Sequence, residues 1–210
     1  MNILELFSGT ESFSTAARLR GHTAFTIDNE EKFGPSLCKD ILEVTTEDIP
    51  CRPDIIWASP PCQCFSVATI GRNWDPDTLE PKTEGARISK LLVMKTLELI
   101  DELEPRFFFI ENPRAMLRKM PFMRGMLRAT VTYCKYGETY QKPTDIWHNC
   151  MAWGPRPPCY AGSSCHERAP RGSRKGVQGL KGATERGIVP YELCEEILID
   201  IESVQELFSE

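Results

Sequence analysis

Apolar runs and helical spacings alternate through the first 150 residues. Ile3-Leu4-Glu5-Leu6-Phe7 reads as a first strand, followed by the turn Ser8-Gly9-Thr10 and a helix from about Ser12 to Arg20. Gly21 stops that helix as a C′ glycine does. Thr23 to Ile27 suits a second strand ending in Asp28-Asn29-Glu30, Asp40-Ile41 closes a short third, and Asp54 to Trp57 forms a fourth. From Arg87 to Glu104 the spacing is helical, with Ile88, Leu91, Leu92, Met94, Leu97 and Ile100 on one broad face. Pro105 ends it, and the wholly apolar strand Phe107-Phe108-Phe109-Ile110 leads into Glu111-Asn112-Pro113. Repeated strand–helix units of this size predict an α/β fold with a parallel, doubly wound sheet. No period holds from His148 to about Gly187, and Pro190 then opens a terminal helix over Tyr191 to Leu207. The chain thus divides into an α/β unit over 1–147, an irregular segment over 148–187 and a helical return over 188–210.

Charge sharpens that division. The formal net charge of −5 conceals eight Lys/Arg against three Asp/Glu between Lys142 and Gly187, then seven acids and no base from Ile188 onward. A basic, Gly/Pro/Ser-rich stretch is either a solvated loop or a surface that meets phosphates. No apolar run reaches the ~20 residues of a membrane span. Met1-Asn2-Ile3-Leu4 enters a strand without the charged start of a signal peptide. Nine cysteines, an odd number, argue for reduced thiols rather than a disulfide framework, which points to the cytoplasm.

Candidate chemistry lies at the strand ends. Cys62 follows the fourth strand in Ala58-Ser59-Pro60-Pro61-Cys62-Gln63-Cys64-Phe65-Ser66, where two prolines stiffen the loop. The carboxyl ends of strands are where open α/β sheets place their sites. The turn after the first strand suits a nucleotide-type ligand, since glycine and a helix N-terminus expose N–H groups. The Gly-x-Gly-x-x-Gly pattern is absent; Glu11 would repel a pyrophosphate and suits an ammonium group instead. Asp28 can hold ribose hydroxyls and Asp40 an adenine amine, so the set favours an adenosyl ligand. Cys150, Cys159, Cys165 and His166, with His148 nearby, are candidate zinc ligands, although no C-x₂-C pair is present. A Gly- and Pro-rich segment with little core would gain from such a staple.

Three segments in order, Glu5-Leu6-Phe7-Ser8-Gly9, Pro61-Cys62-Gln63-Cys64-Phe65-Ser66 and Glu111-Asn112-Pro113, resemble the cytosine-C5 DNA methyltransferases. The resemblance covers 1–147 and resumes at the terminal helix; in its compactness the chain is similar to members encoded by bacteriophages and prophages. It implies a Rossmann-like S-adenosylmethionine-dependent sheet with a small irregular recognition segment over 148–187. Cys62 would attack carbon 6 of a flipped cytosine, and Glu111 would hold the ring nitrogen 3 proton and the exocyclic amine. Phe7, Ser8, Gly9, Thr10, Glu11, Ser12, Phe13, Asp28, Asn29, Asp40, Ile41 and Pro60 would surround S-adenosylmethionine. Pro61, Gln63, Ser66, Arg72, Asn112, Arg114, Gln141, Lys142, Arg171, Arg174, Lys175 and Gln178 would meet the base or the DNA. Residues 69–90 would close over the flipped base. The implied partner is double-stranded DNA, the protein a monomer working in the cytoplasm of a bacterial or phage-infected cell.

Departures from the family pattern keep other functions open. Glu11-Ser12 stands where members carry two glycines, and Pro113-Arg114 follows the Glu-Asn pair. Tyr136-Gly137 leads to Gln141-Lys142-Pro143-Thr144-Asp145 without the two arginines of the Gln-x-Arg-x-Arg motif, for which Arg114 or Lys142 are the candidate substitutes. Gly187-Ile188-Val189-Pro190 lacks the family's asparagine. The recognition segment is short, and Arg156, Arg168, Arg171, Arg174, Lys175, Lys181 and Arg186 supply its phosphate-binding charge. A tRNA cytosine-C5 methyltransferase and a nucleic-acid-binding pseudo-enzyme are the alternatives.

Overall fold

A computed structural model of the chain describes residues 1–66, 70–160, 162–167 and 182–207. Seven strands form one sheet in the order β3-β2-β1-β4-β5-β7-β6. β1 (Asn2–Leu6), β2 (Thr23–Asp28), β3 (Leu37–Cys38), β4 (Ile55–Ala58) and β5 (Phe107–Pro113) run parallel. β6 (Leu127–Thr132) and β7 (Pro143–His148) are antiparallel additions, β7 pairing with β5 and β6 with β7. The parallel sheet expected from the sequence therefore holds for five strands and ends in an antiparallel edge. The order turns about β1, with β2 and β3 to one side and β4 and β5 to the other. The crevice between β1 and β4 at their carboxyl ends is the switch point where such sheets bind ligands.

Period-two burial splits the core into two layers. Ile3, Ile55, Trp57, Phe107 and Phe109 face α1 (Ser12–Leu19) and α5 (Tyr191–Leu207). Leu4, Leu6, Ile56, Ala58 and Ile110 face Val93, Leu99 and Leu103 of α3 (Glu84–Leu103). Phe13 of α1 stacks on Trp57 at 4.6 Å between centroids and 11° between planes. That pair contributes about 0.5–1.5 kcal/mol beyond area burial. Across the helices, Arg20 and His22 bond Glu202, and Arg156 pairs with Glu192 and Glu196. The acidic terminal helix thus receives bases from elsewhere in the chain, and Arg156 is turned to α5 rather than offered to phosphate.

Two expected elements shift. α3 begins three residues early because Thr83 caps it, its hydroxyl accepting from the Ala86 N–H at 3.2 Å. Its buried stripe is Ala86, Ser89, Val93, Thr96, Leu99 and Leu103, while Ile88, Leu91 and Met94 are exposed. Thr96, within that stripe, satisfies its hydroxyl on the Leu92 carbonyl. The stripe is thus rotated from the one that large side chains mark out. The third strand is Leu37–Cys38, and Asp40 instead caps a 3₁₀ turn over Ile41–Glu43, accepting from the Leu42 N–H. Among the described residues, no helix is long and apolar enough to cross a membrane.

Candidate active site

The turn leaving β1 is built on strained backbone. Phe7, Gly9 and Glu11 have φ of 56°, 46° and 55°, and the Glu11 N–H closes the turn on the Ser8 carbonyl at 2.6 Å. Left-handed non-glycine residues cost energy that surrounding contacts must offset. Asp28 supplies part of that, its carboxylate accepting from the Gly9 N–H at 2.8 Å and the Glu30 N–H at 2.9 Å. Glu5, 3 % exposed, braces the turn from beneath, accepting from the N–H groups of Phe13 and Ser14 at the start of α1. Burial pushes the Glu5 carboxyl up to about 7, against the pull of those N–H groups. Glu11 gives one oxygen to Arg18 and the other to the Thr26 hydroxyl, which places its charge over the helix rather than in the crevice.

The residues present fit an adenosyl ligand. Ser8 Oγ is buried without a hydrogen-bond partner among the described residues, in the turn that would face the ligand. A buried hydroxyl left so is costly unless something docks on it. Asp28 lies at the end of β2 beside the exposed Asn29; Thr10 is exposed and Ser12 half-buried at the mouth of the turn. Asp40 is exposed, and Ile41 is buried in the core.

The Cys62 loop is moored on every side. The Asn112 amide donates to the Pro60 carbonyl at 2.9 Å, joining the loop to the end of β5. The Phe65 N–H bonds the Cys62 carbonyl, and the Phe65 carbonyl receives the Met116 N–H. Phe65 stacks on Trp74 at 5.1 Å, and the Trp74 indole donates to the Cys64 carbonyl at 2.7 Å. Cys62 is left half-buried at the crevice. Burial raises its thiol pKa first and the Glu111 carboxylate raises it further, while Lys142 and Arg186 pull it down.

Glu111 sits within β5 and not beyond it, opposite Ile146 of β7. It is 5 % exposed. The Tyr133 hydroxyl donates to its Oε1 at 3.0 Å, and the Lys142 ammonium stands 3.7 Å from the same oxygen. Lys142 also donates to the Arg186 carbonyl at 2.7 Å and lies 4.3 Å from the Tyr133 ring centroid. Its φ of 23° shows the backbone bent to turn it inward. One of the two candidate substitutes for the missing arginines is therefore at the Glu111 carboxylate; the other, Arg114, is exposed and bonds β7 only through its backbone. Tyr133 carried no sequence signal, because nothing in its neighbourhood marks a tyrosine aimed across the sheet at β5.

The remaining expected site residues divide. Gln63 and Arg72 are exposed near the Cys62 loop, Pro61 is half-buried, and Ser66 bonds the Gln63 carbonyl. The segment expected to close over the base includes the first turns of α3, so only the part before residue 84 is loop; it holds the short helix α2 (Ile70–Asn73) and a bridge between Trp74 and Pro81. Gln141 directs its amide to Cys159. Arg171, Arg174, Lys175 and Gln178, with Arg168 and Lys181, lie outside the described residues. The zinc-ligand set is corrected at one position. Cys159, Cys165 and His166 converge with Cys134, whereas Cys150 is fully buried in the core beside α5. Cys150 leaves β7 directly and is carried inward with it; its carbonyl bonds His148 Nδ1.

Comparison with known proteins agrees with this geometry. A sequence profile of the C-5 cytosine-specific DNA methylases matches residues 1–121. The chain is 32% identical over 219 residues to "Probable DNA (cytosine-5)-methyltransferase" of Frog virus 3 (isolate Goorha), covering 96% of this chain and 98% of that protein. Its fold is similar to an E. coli prophage-encoded protein described as a DNA modification methyltransferase, with TM-score 0.51 and 20% identity over 70% of this chain and 46% of that one. It is equally similar to the Entamoeba histolytica methyltransferase EhMeth, with TM-score 0.51 and 15% identity over 70% of this chain and 52% of the other. The chain spans about half the length of those two solved structures.

Proposed function

Because the chain belongs to the C-5 cytosine-specific DNA methylase family, we propose that it methylates carbon 5 of cytosine in double-stranded DNA, with Cys62 and Glu111 performing the chemistry on the base. The observation that carries this reading is the pairing of a half-buried thiol on the β4 loop with a buried carboxylate on the adjacent strand, close enough that its charge raises the thiol pKa. Attack on a pyrimidine requires a soft nucleophile at carbon 6 and a hydrogen-bonding acid at the ring edge, and neighbouring parallel strands supply both.

The steps follow from these two groups. A cytosine flipped out of the duplex enters between the Cys62 loop and β5. The thiol releases its proton to water, and the thiolate forms a bond from Cys62 Sγ to carbon 6 as the carbon 5–carbon 6 π bond opens. Ring electron density moves toward nitrogen 3, where Glu111, oriented by Tyr133 and Lys142, holds the proton that balances it. Once Glu111 shares that proton, the negative charge that raised the thiol pKa is relieved, so base binding and nucleophile activation are coupled. The Ser8–Ser12 turn and Asp28 would hold S-adenosylmethionine, which would supply the methyl group. Transfer of the carbon 5 proton to water then breaks the Sγ–carbon 6 bond, expels Cys62 as the thiolate and restores the ring double bond.

A monomer acting in the cytoplasm completes the reading. Nine cysteines, an odd number, favour reduced thiols over a disulfide framework and so a reducing compartment. Incubation with labelled S-adenosylmethionine and duplex DNA or tRNA tests the function. Label in DNA that disappears with Cys62→Ala supports it. Label in tRNA alone moves the substrate to RNA, and tight binding without transfer makes the chain a pseudo-enzyme.

A further inference from the structure

Cys134, Cys159, Cys165 and His166 come from two places in the sequence and meet at one point. Cys134 lies in the 3₁₀ turn Tyr133–Tyr136 that follows β6; the other three belong to the segment after β7. One ligand atom from each falls within 4.8 Å of all the others. Cys134 Sγ is 3.2 Å from Cys159 Sγ and 3.7 Å from Cys165 Sγ, and His166 Nδ1 is 3.6 Å from the sulfurs of both Cys159 and Cys165.

Three of those four separations match the edges of a coordination tetrahedron, and the 3.2 Å between Cys134 and Cys159 is shorter than its sulfur–sulfur edge. With zinc–sulfur bonds of about 2.3 Å and zinc–nitrogen bonds of about 2.0–2.1 Å, tetrahedral angles give edges of about 3.8 Å between sulfurs and about 3.6 Å between sulfur and nitrogen. Packing alone does not ask an imidazole nitrogen to point at two thiols at once. The surroundings suit thiolates. The Gln141 amide donates to Cys159 Sγ at 3.1 Å, and the Cys159 N–H is fixed on the Thr132 hydroxyl at 2.9 Å. Such outer contacts orient ligands and balance charge. Cys134 and Cys159 are buried while Cys165 and His166 are half-buried, which describes a closed structural site.

We propose that Cys134, Cys159, Cys165 and His166 bind one zinc ion that staples the segment after β7 to the turn following β6. The site stands apart from the methyl-transfer reading, since none of its ligands takes part in the chemistry at Cys62. Its consequence depends on position. His166 immediately precedes the stretch carrying Arg168, Arg171, Arg174, Lys175 and Lys181, so the staple anchors the start of the basic sequence.

The test is metal analysis of the full-length protein, expressed with zinc and purified without chelator. About one zinc per chain is expected for the wild type and for Cys150→Ser, falling below about a tenth in Cys134→Ser and Cys159→Ser. Cobalt substitution of the wild type gives an independent readout that needs no variant: a sulfur-to-cobalt charge-transfer band with the visible absorption of a tetrahedral centre. Wild-type protein lacking both zinc and the tetrahedral cobalt spectrum overturns the proposal. So does zinc that persists in Cys134→Ser and Cys159→Ser, or a Cys134–Cys159 disulfide found by mass spectrometry in protein prepared under reducing conditions.

Discussion

Glu5→Gln isolates the cost of burying an acid under the cofactor turn. Glu5 is 3 % exposed, its carboxyl facing the N–H groups of Phe13 and Ser14, with Glu11 adding negative charge nearby and Cys194 of α5 on the packed side. Its pKa rises from 4.5 to about 7 on folding, with burial the largest cause. The folded state therefore binds the proton more tightly than the unfolded chain. The stability this provides is fully present below pH 4.5 and is lost as the pH climbs toward 7. A shift of that size corresponds to about 3 kcal/mol, a large share of the ~5–15 kcal/mol that holds a domain folded. Urea denaturation of wild type and Glu5→Gln across this range removes every other titration by difference, because glutamine cannot ionise. The wild type should lose about 3 kcal/mol relative to the variant between pH 4.5 and 8. Parallel stability curves, or a wild type that gains on the variant as the pH rises, refute the reasoning.

Three further outcomes follow from the structure. Glu111→Gln should abolish methyl transfer yet make Cys62 more reactive toward iodoacetamide at neutral pH, since the carboxylate raises the thiol pKa; unchanged or slower alkylation contradicts the coupling. Arg118→Met should destabilise by about 3–5 kcal/mol in urea titration, because it strands the fully buried Asp145 that Arg118 holds through two hydrogen bonds. Adding Asp145→Asn should recover part of that loss. Thr83→Ala should cost about 1 kcal/mol, as removal of a helix cap does, and leave methyl transfer intact.

The Cys62–Glu111 pair proposed to act on the base was readable because its signals are local. A Pro-Pro-Cys loop marks the end of one apolar strand and a Glu-Asn step the later part of another, and the parallel sheet brings those strands side by side. What supports the pair was hidden, because it depends on the antiparallel edge. β6, Leu-Arg-Ala-Thr-Val-Thr, and β7, Pro-Thr-Asp-Ile-Trp-His, are rich in polar residues and present no long apolar run to mark them. That edge brings Tyr133 and Lys142 to Glu111, and it also delivers Cys134 to the thiol cluster in place of Cys150. Likewise, α3 buries Ala86, Ser89 and Thr96, small residues that a hydrophobic count passes over in favour of Ile88 and Met94. A buried face can be lined by small side chains, whereas periodicity weighs large ones.

The central claim is that Cys62 bonds to the cytosine ring, and trapping that bond tests it most directly. Fluorine at carbon 5 replaces the proton that must leave, so the adduct cannot eliminate the enzyme. Duplex DNA containing 5-fluorocytosine, incubated with the protein and S-adenosylmethionine, should give a denaturant-stable protein–DNA adduct whose cross-linked peptide contains Cys62. The adduct should be absent in Cys62→Ala. An adduct that persists in Cys62→Ala or maps to another residue, or methylation of normal cytosine by Cys62→Ala, contradicts the account.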